Sequence, residues 1–204
     1  MVQVLKPEVK ENISQAALRV FARQGFLNTK MTDIARESDV STGNIYRYFK
    51  NKEDLFYELV TVEFIDEMKK MLVQRIEAFK GISDLSELES DSPYLVIVRE
   101  QLELCIDNRL MLIILFEKSK GTKYEHFFDE IVELMEQLAI EYFRSMKGEF
   151  VLSAEQRFTL HLIYTNYVRG LVEILIKYGD RAEIREIMTG YLHYHLAGLK
   201  QFMM

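Results

Sequence analysis

Residues 28–55 read NTKMTDIARESDVSTGNIYRYFKNKEDL. Thr29 stands where an N-cap would open a short helix, and Met31, Ile34 and Ala35 fall on one face of it. Ala35 is small where a second helix would cross closely. Ser38-Asp39-Val40 follows as a tight turn, with Val40 as its apolar plug, and Ser41 is a second N-cap. The next short helix turns Ile45 and Phe49 inward and leaves Thr42, Asn44, Tyr46, Arg47 and Tyr48 outside. Two short helices joined by a 3–4-residue turn make a helix-turn-helix, a unit that lays its second helix in the DNA major groove. Thr42 and Asn44 have the chemistry to bond base edges. Tyr46, Arg47, Tyr48, Lys50 and Lys52 have the chemistry to hold phosphates. Capping alone is the other role open to Thr29, Thr32 and Ser41. Tyr46 and Tyr48 as core aromatics is the other reading of that pair, but a 3.6-residue period does not let both share the face of Phe49.

Outward from this stretch the pattern stays helical. Ile13, Ala16, Ala17, Val20 and Phe21 lie on one stripe of a helix that Pro7 opens and Gly25 closes. From Asn51 a single long helix is predicted to about Lys80, with Leu55, Leu59, Val62, Ile65, Met68, Met71, Leu72 and Ile76 inward. Gly81–Pro93, GISDLSELESDSP, is acidic and turn-rich and reads as a loop. Further helices are predicted over about 94–107, 109–120, 124–147, 153–178 and 181–201. Only Pro7 and Pro93 interrupt the chain, and two-residue alternation is never sustained, so no sheet is expected. The fold class is all-α: an N-terminal three-helix helix-turn-helix domain, residues 1–52, and a larger helical domain, residues 53–204, about nine helices in total.

Composition sets bounds on function. The 204 residues carry 26 Lys and Arg against 32 Asp and Glu, a net charge of −6. Taken whole, that charge opposes a polyanionic partner. It is uneven, however: residues 1–52 hold nine basic and five acidic side chains, or +4, which leaves −10 for the rest. A hydrophobic share of 49% is that of a globular protein rather than a disordered one. Cys105 is the one cysteine, so no internal disulfide forms and a cytoplasmic protein is expected. The longest run free of Asp, Glu, Lys and Arg is Ile187–Leu199, 13 residues, against the ~18 that span a bilayer, so no membrane partner is expected.

Residues 13–55 resemble the DNA-binding domain of the TetR (tetracycline-repressor-like) family of transcriptional regulators. The resemblance is carried by Ile13, Ala16-Ala17, Phe21, Gly25-Phe26, Thr29, Ile34-Ala35, Val40-Ser41, Gly43, Ile45-Tyr46, Tyr48-Phe49, Lys52 and Leu55. The pattern T-x-x-x-D-I-A followed by V-S-x-G-x-I-Y-x-Y-F-x-x-K is far more specific than a lone helix-turn-helix, and it covers about a fifth of the chain. The resemblance implies that Thr42, Gly43, Asn44 and Tyr46 meet bases and adjacent phosphates, that Thr32 joins them from the preceding helix, and that Tyr48 and Lys52 clamp phosphates. Asp39 departs from the family, which usually has glycine at that turn. Asp tolerates the left-handed conformation better than most residues, so the turn is expected to survive with some local strain.

One helix-turn-helix covers a half-site, so two chains are needed to read a pseudo-palindromic double-stranded operator. On residues 157–178 one apolar stripe is Leu160, Tyr164, Tyr167, Leu171, Ile174 and Tyr178, and another is Phe158, Leu162, Val172 and Ile176. A helix apolar on nearly all sides needs two burial partners. Leu160, Tyr164, Tyr167, Gly170, Leu171, Ile174, Tyr191 and His195 are the candidate dimer residues, with Gly170 permitting close approach. A fully buried core helix within one subunit is the competing reading. The resemblance implies a four-helix homodimer bundle from the last two helices.

Phe64, Met68, Phe116, Phe127 and Phe128 are candidates for an adaptable effector pocket, with His161 and Asn166 as polar anchors. An ordinary core fits each of them equally well. No metal-ligand cluster involves His126, His161, His193 or His195, no cofactor motif is present, and no catalytic constellation emerges. Cys105 is expected to be inert, its thiol raised by Glu103 and Asp107. The expected function is a homodimeric, ligand-responsive regulator, a repressor released from DNA by an unknown small apolar or amphipathic effector. The alternatives are an all-α small-molecule-binding protein or enzyme, and a DNA-binding activator without a releasing ligand.

Overall fold

The computed structural model describes residues 6–80, 91–147 and 151–203. Every regular element among them is helical: α1 Pro7–Gln24, α2 Met31–Ser38, α3 Thr42–Ile45, α4 Lys52–Leu59, α5 Val62–Phe79, α6 Pro93–Asp107, α7 Arg109–Ile113, α8 Phe127–Lys147, α9 Ala154–Lys177 and α10 Arg181–Met203. Helix α7 runs on into a π-helical turn, Ile114–Lys118. No helix among the described residues is long and apolar enough to cross a membrane. The predicted loop at Gly81–Pro93 lies outside the described residues up to residue 90. Ser92 already caps α6, its Oγ accepting from the Leu95 amide at 3.4 Å, and Pro93 sits at the first helical position, where its missing N–H costs nothing.

The single helix expected from Asn51 to Lys80 is two. Asn51 caps α4, accepting from the Asp54 amide at 2.7 Å. The chain then leaves the helix at Val60 (φ −100°, ψ 83°), and the Thr61 hydroxyl accepts from the Phe64 amide at 3.2 Å to start α5. The break resets the helical phase. Val62, expected inside, is therefore exposed, while Phe56 and Val60 before it are buried beside the predicted Leu55. Ile65, Met68 and Leu72 keep their inward positions, and Arg75 follows on the same side of α5.

The chain divides into two compact units, Met1–Ile65 with Leu110–Phe127, and Asp66–Arg109 with Phe128–Met204. The first therefore reaches beyond residues 1–52, because Leu55 and Phe56 of α4 belong to its core. Ile13, Ala16, Ala17, Val20 and Phe21 of α1 are fully buried there, as the stripe predicts. Phe56 is the hub: its ring meets Phe21 edge-on at 5.4 Å and Phe26 at 5.0 Å. The π-helical turn leaves the Lys118 carbonyl free to accept the Phe26 amide at 2.9 Å, which ties 110–127 to the loop after α1.

The second unit is built on α6, α8, α9, α10 and the larger part of α5. Ile131, Val132, Met135, Leu160, Tyr164, Tyr167, Val168, Val172, Ile184 and Met188 form its core. Arg181 bonds both Glu103, at 2.8 Å, and Asp107, and Arg185 bonds Glu103, so α10 is pinned to the end of α6. Gly170 explains how α9 and α10 approach. A Cβ built there would clash with the Tyr191 hydroxyl, whose proton is donated to the Asn166 carbonyl at 2.9 Å.

Candidate nucleic-acid interface

Helix α3 is a single turn, and its shape is set by its neighbours. Asp39 ends α2 in the left-handed conformation (φ 54°, ψ 34°), the one non-glycine residue of positive φ among those described. This is the conformation anticipated for the turn. Ser41 Oγ accepts from the Asn44 amide at 3.3 Å, as expected of an N-cap. Ile45 and Phe49 are buried and anchor α3 from beneath. Asn12 of α1 donates to the Ser38 carbonyl at 2.8 Å and closes the end of α2.

Thr29 does not cap α2. It is buried, and its hydroxyl donates to the Gly25 carbonyl at 2.7 Å; Lys30 holds the cap position, and its amide donates to Asp33 at 3.0 Å. A threonine followed by lysine reads as a cap from sequence, but an unpaired carbonyl at the end of α1 claims the hydroxyl.

What this scaffold presents is a surface with free polar groups. Thr32, Gly43, Tyr46 and Arg47 are exposed, and Thr42, Asn44 and Tyr48 are half-buried. Tyr46 has 52% of its surface in solvent. Among the described residues nothing bonds the side chains of Thr32, Thr42, Asn44 or Arg47. A Cβ on Gly43 would meet no atom within 4 Å, and its φ is not positive, so nothing among the described residues requires glycine there. A glycine in open space on an exposed turn admits close approach by another molecule's backbone. Tyr48 is positioned by its hydroxyl, which accepts from the Lys6 amide at 3.1 Å, a contact from outside the motif that the sequence does not signal.

The electrostatics suit an anion. The acidic side chains of α2 are turned toward α1: Glu37 accepts from Arg19 at 2.8 Å and from Arg23 at 3.2 Å, which lowers its pKa. Asp33 is lowered by the Lys30 amide and then by Gln24. Arg36, Arg47 and Lys50 remain exposed, and Asp39 is the exposed acid beside them.

Lys52 takes a different place from that of a free phosphate clamp. Its ammonium donates to the carbonyls of Phe26 at 2.7 Å and Thr29 at 3.0 Å, lies 3.5 Å from that of Leu27, and sits 4.3 Å from the Phe26 ring centroid. The charge holds the α1–α2 loop against the start of α4.

The candidate dimer and effector residues are redistributed. Leu160, Tyr164, Tyr167 and His195 are buried within one chain, so they line its own core rather than a subunit surface. Tyr167 and His195 stack at 3.8 Å. Leu171, Ile174 and Tyr191 are half-buried, and Gly170 serves the α9–α10 contact already described. The exposed apolar side chains are those of the other stripe, Phe158, Leu162 and Ile176 on α9, with Tyr194 on α10. His161 and Asn166 are exposed: the imidazole Nδ1 is 2.7 Å from Glu136 Oε1, and no interior ligand contact follows. Phe64, Phe116 and Phe127 belong to the first unit, where the last two rings meet at 5.2 Å, and Met68 and Phe128 to the second. Arg169 lies over the Phe128 ring at 5.8 Å. Burial, not the neighbouring carboxylates, pushes the Cys105 thiol up to about 11; Glu103 and Asp107 are engaged with arginines of α10.

The family model for bacterial regulatory proteins of the tetR family matches residues 13–59. The transcriptional regulator HbdR of Aromatoleum sp. (strain CIB) is 37% identical over 73 residues, 36% of this chain and 31% of its own length. The transcriptional regulator AcrR of Shigella flexneri is 42% identical over 52 residues, 26% of this chain and 24% of its own length. The chain thus spans about a third or less of the length of these two curated relatives. A crystal structure of an alanine-substituted HlyIIR mutant matches 92% of this chain and 98% of its own, with a TM-score of 0.50 at 15% identity, a likeness of fold alone. Over residues 13–59 the chain is thus similar to the tetR family of bacterial regulatory proteins.

Proposed function

We propose that the chain is a ligand-responsive transcriptional regulator, a repressor that binds a pseudo-palindromic DNA operator as a homodimer and is released by a small apolar or amphipathic effector. The observation that carries the reading is the surface of α3. Thr42, Asn44, Tyr46 and Arg47 present free donors and acceptors on a turn fixed by Ser41, Asp39 and the buried Ile45 and Phe49. Gly43 lets a backbone approach, Thr32, Arg36 and Lys50 are exposed, and Tyr48 is half-buried. Polar side chains of these types read bases and hold phosphates. The tetR-family model matches this same segment.

A second chain is needed for a two-half-site operator. Its docking face is proposed on the outward sides of α9 and α10. Phe158 is 63% exposed and Tyr194 76%, and Leu162 and Ile176 join them. Gly190 and Gly198 are exposed on α10, with open space where a Cβ would stand. Each mid-helix glycine costs roughly 1 kcal/mol relative to alanine. Nothing among the described residues uses that cost, whereas a second helix crossing close to α10 would.

The test is selection of duplexes from a random library, followed by gel-shift titration at fixed salt. One preferred, two-fold-symmetric sequence is expected, bound by two chains in light scattering. Tyr46→Ala should weaken that duplex at least about tenfold while non-specific binding persists. A library that yields no preferred duplex, or a variant with unchanged affinity, overturns the assignment of α3.

A further inference from the structure

Inside the second unit a cation stands among neutral groups. Arg75 is half-buried on the inward side of α5, one turn after the buried Leu72 and one turn before Phe79. Its Nη1 donates to Gln101 Oε1 on α6 at 2.9 Å. Tyr94 and Cys105 of α6, Tyr164 and Tyr167 of α9 and His195 of α10 all lie within its electrostatic reach, with the Tyr167 hydroxyl beside it. Among the described residues no carboxylate pairs with Arg75. Several acids of this unit are committed elsewhere: Glu77, two residues on, to Lys80, Glu103 and Asp107 to Arg181, and Glu136 to His161.

A guanidinium does not shed its proton in a protein. Taken from water, it is costly unless an anion and further hydrogen bonds meet it. Gln101 satisfies one of its five N–H groups with a neutral oxygen. The surrounding groups do not supply the charge, since burial raises the Tyr94, Tyr164 and Tyr167 hydroxyls and the Cys105 thiol, keeping all four protonated at neutral pH. The walls nearby are aromatic: Phe79 meets both Tyr94 and Tyr142 at 5.0 Å, and Tyr167 stacks on His195.

We infer that Arg75 is the anion-binding residue of a ligand site in the second unit. Its ligand is an amphipathic anion, with an apolar body against the aromatic side chains and a carboxylate-class head on the guanidinium beside Gln101 and Tyr167. The inference rests on the reading of the chain as effector-responsive and names the chemical class of the effector. A charge-assisted pair of this kind is selective because Arg offers a planar fork of donors that matches a carboxylate.

The full chain is titrated calorimetrically with three probes of equal length, dodecanoate, dodecan-1-ol and dodecylammonium, each below its micelle concentration. Dodecanoate should bind at least about tenfold more tightly than the alcohol, the ratio a charge-assisted hydrogen bond brings, and the ammonium most weakly. Arg75→Gln should erase the acid-over-alcohol preference. Equal binding of acid and alcohol to the native chain, or a preference that survives in Arg75→Gln, overturns the role of Arg75 and leaves the apolar-effector reading standing. Binding of none of the three overturns both. Should Arg75→Gln fail to fold, the order of the three probes on the native chain decides, and Arg75→Lys, which keeps the charge without the fork, should retain the acid preference in reduced form.

Discussion

Acid should weaken this fold through one histidine. His195 is buried on α10, its ring stacked on Tyr167 at 3.8 Å and set 5.3 Å from that of Tyr164. Burial, and then the cation of Arg75, push its pKa down to about 4. In the unfolded chain an imidazole titrates near 6.5. Between these values the unfolded chain holds a proton that the folded chain refuses, so stability is full above about pH 6.5 and falls as pH drops toward 4. A tenfold difference in proton affinity corresponds to about 1.4 kcal/mol, which puts the whole loss near 3 kcal/mol, with about 2 kcal/mol of it falling between pH 7 and pH 5. Carboxylates such as Glu37 also lose stabilising partners in acid, so the measurement is a difference. Urea unfolding followed by circular dichroism at pH 7 and pH 5, at one protein concentration, is compared for the native chain and His195→Gln. The native chain should lose about 2 kcal/mol more than the variant over that interval. Identical losses in both, or a His195 ring that titrates near 6.5 by NMR in the folded protein, would refute the reasoning.

Two further predictions concern packing. Gly170→Ala should destabilise by about 1–2 kcal/mol in thermal or urea unfolding, because the new methyl clashes with the Tyr191 ring, and moving that ring breaks its bond to Asn166. A mid-helix Gly→Ala change without such a clash gains up to about 1 kcal/mol, so net stabilisation would show that the ring yields freely. Lys52→Met keeps the side-chain stem but removes the ammonium from the Phe26 and Thr29 carbonyls, and should cost about 1–3 kcal/mol of stability without DNA present. An unchanged unfolding midpoint would return Lys52 to the role of a free phosphate contact.

The helix-turn-helix was legible because its signals are local. Ser41 caps within three residues, Asp39 carries its own tolerance of positive φ, and Ile45 and Phe49 are one turn apart on a helix too short to offer another face. The break between α4 and α5 was hidden by the same periodicity that reveals helices. Apolar residues at Leu55, Leu59, Val62 and Ile65 continue a regular stripe, and only the Thr61 hydroxyl, caught by the Phe64 amide, marks the reset. On α9 the pattern shows two apolar stripes but not which of them faces home. That choice is tertiary: Gly170 lets Tyr191 in on one side, which buries Tyr164 and Tyr167 and leaves Phe158 and Leu162 outside. Thr29 failed as a cap reading because its hydroxyl answers the Gly25 carbonyl at the end of α1, and the bonds of Lys52 to the Phe26 and Thr29 carbonyls are hidden from the sequence for a related reason: both demands appear only once the loop is folded.

The same interior tells two cations apart. His195 and Arg75 share an environment of aromatic rings and protonated hydroxyls, with no carboxylate among the described residues paired to Arg75. An imidazole escapes the cost of burial by giving up its proton, and the depressed His195 value is that escape. A guanidinium has no such exit, because its proton stays at any pH the fold survives. Arg75 therefore keeps a charge that Gln101 meets only with a neutral oxygen, and its partial exposure to water is what makes this tolerable. An incoming anion would replace that water with a counter-charge. For this reason the proposed site is placed at Arg75, which must remain charged, rather than at His195, which has already become neutral.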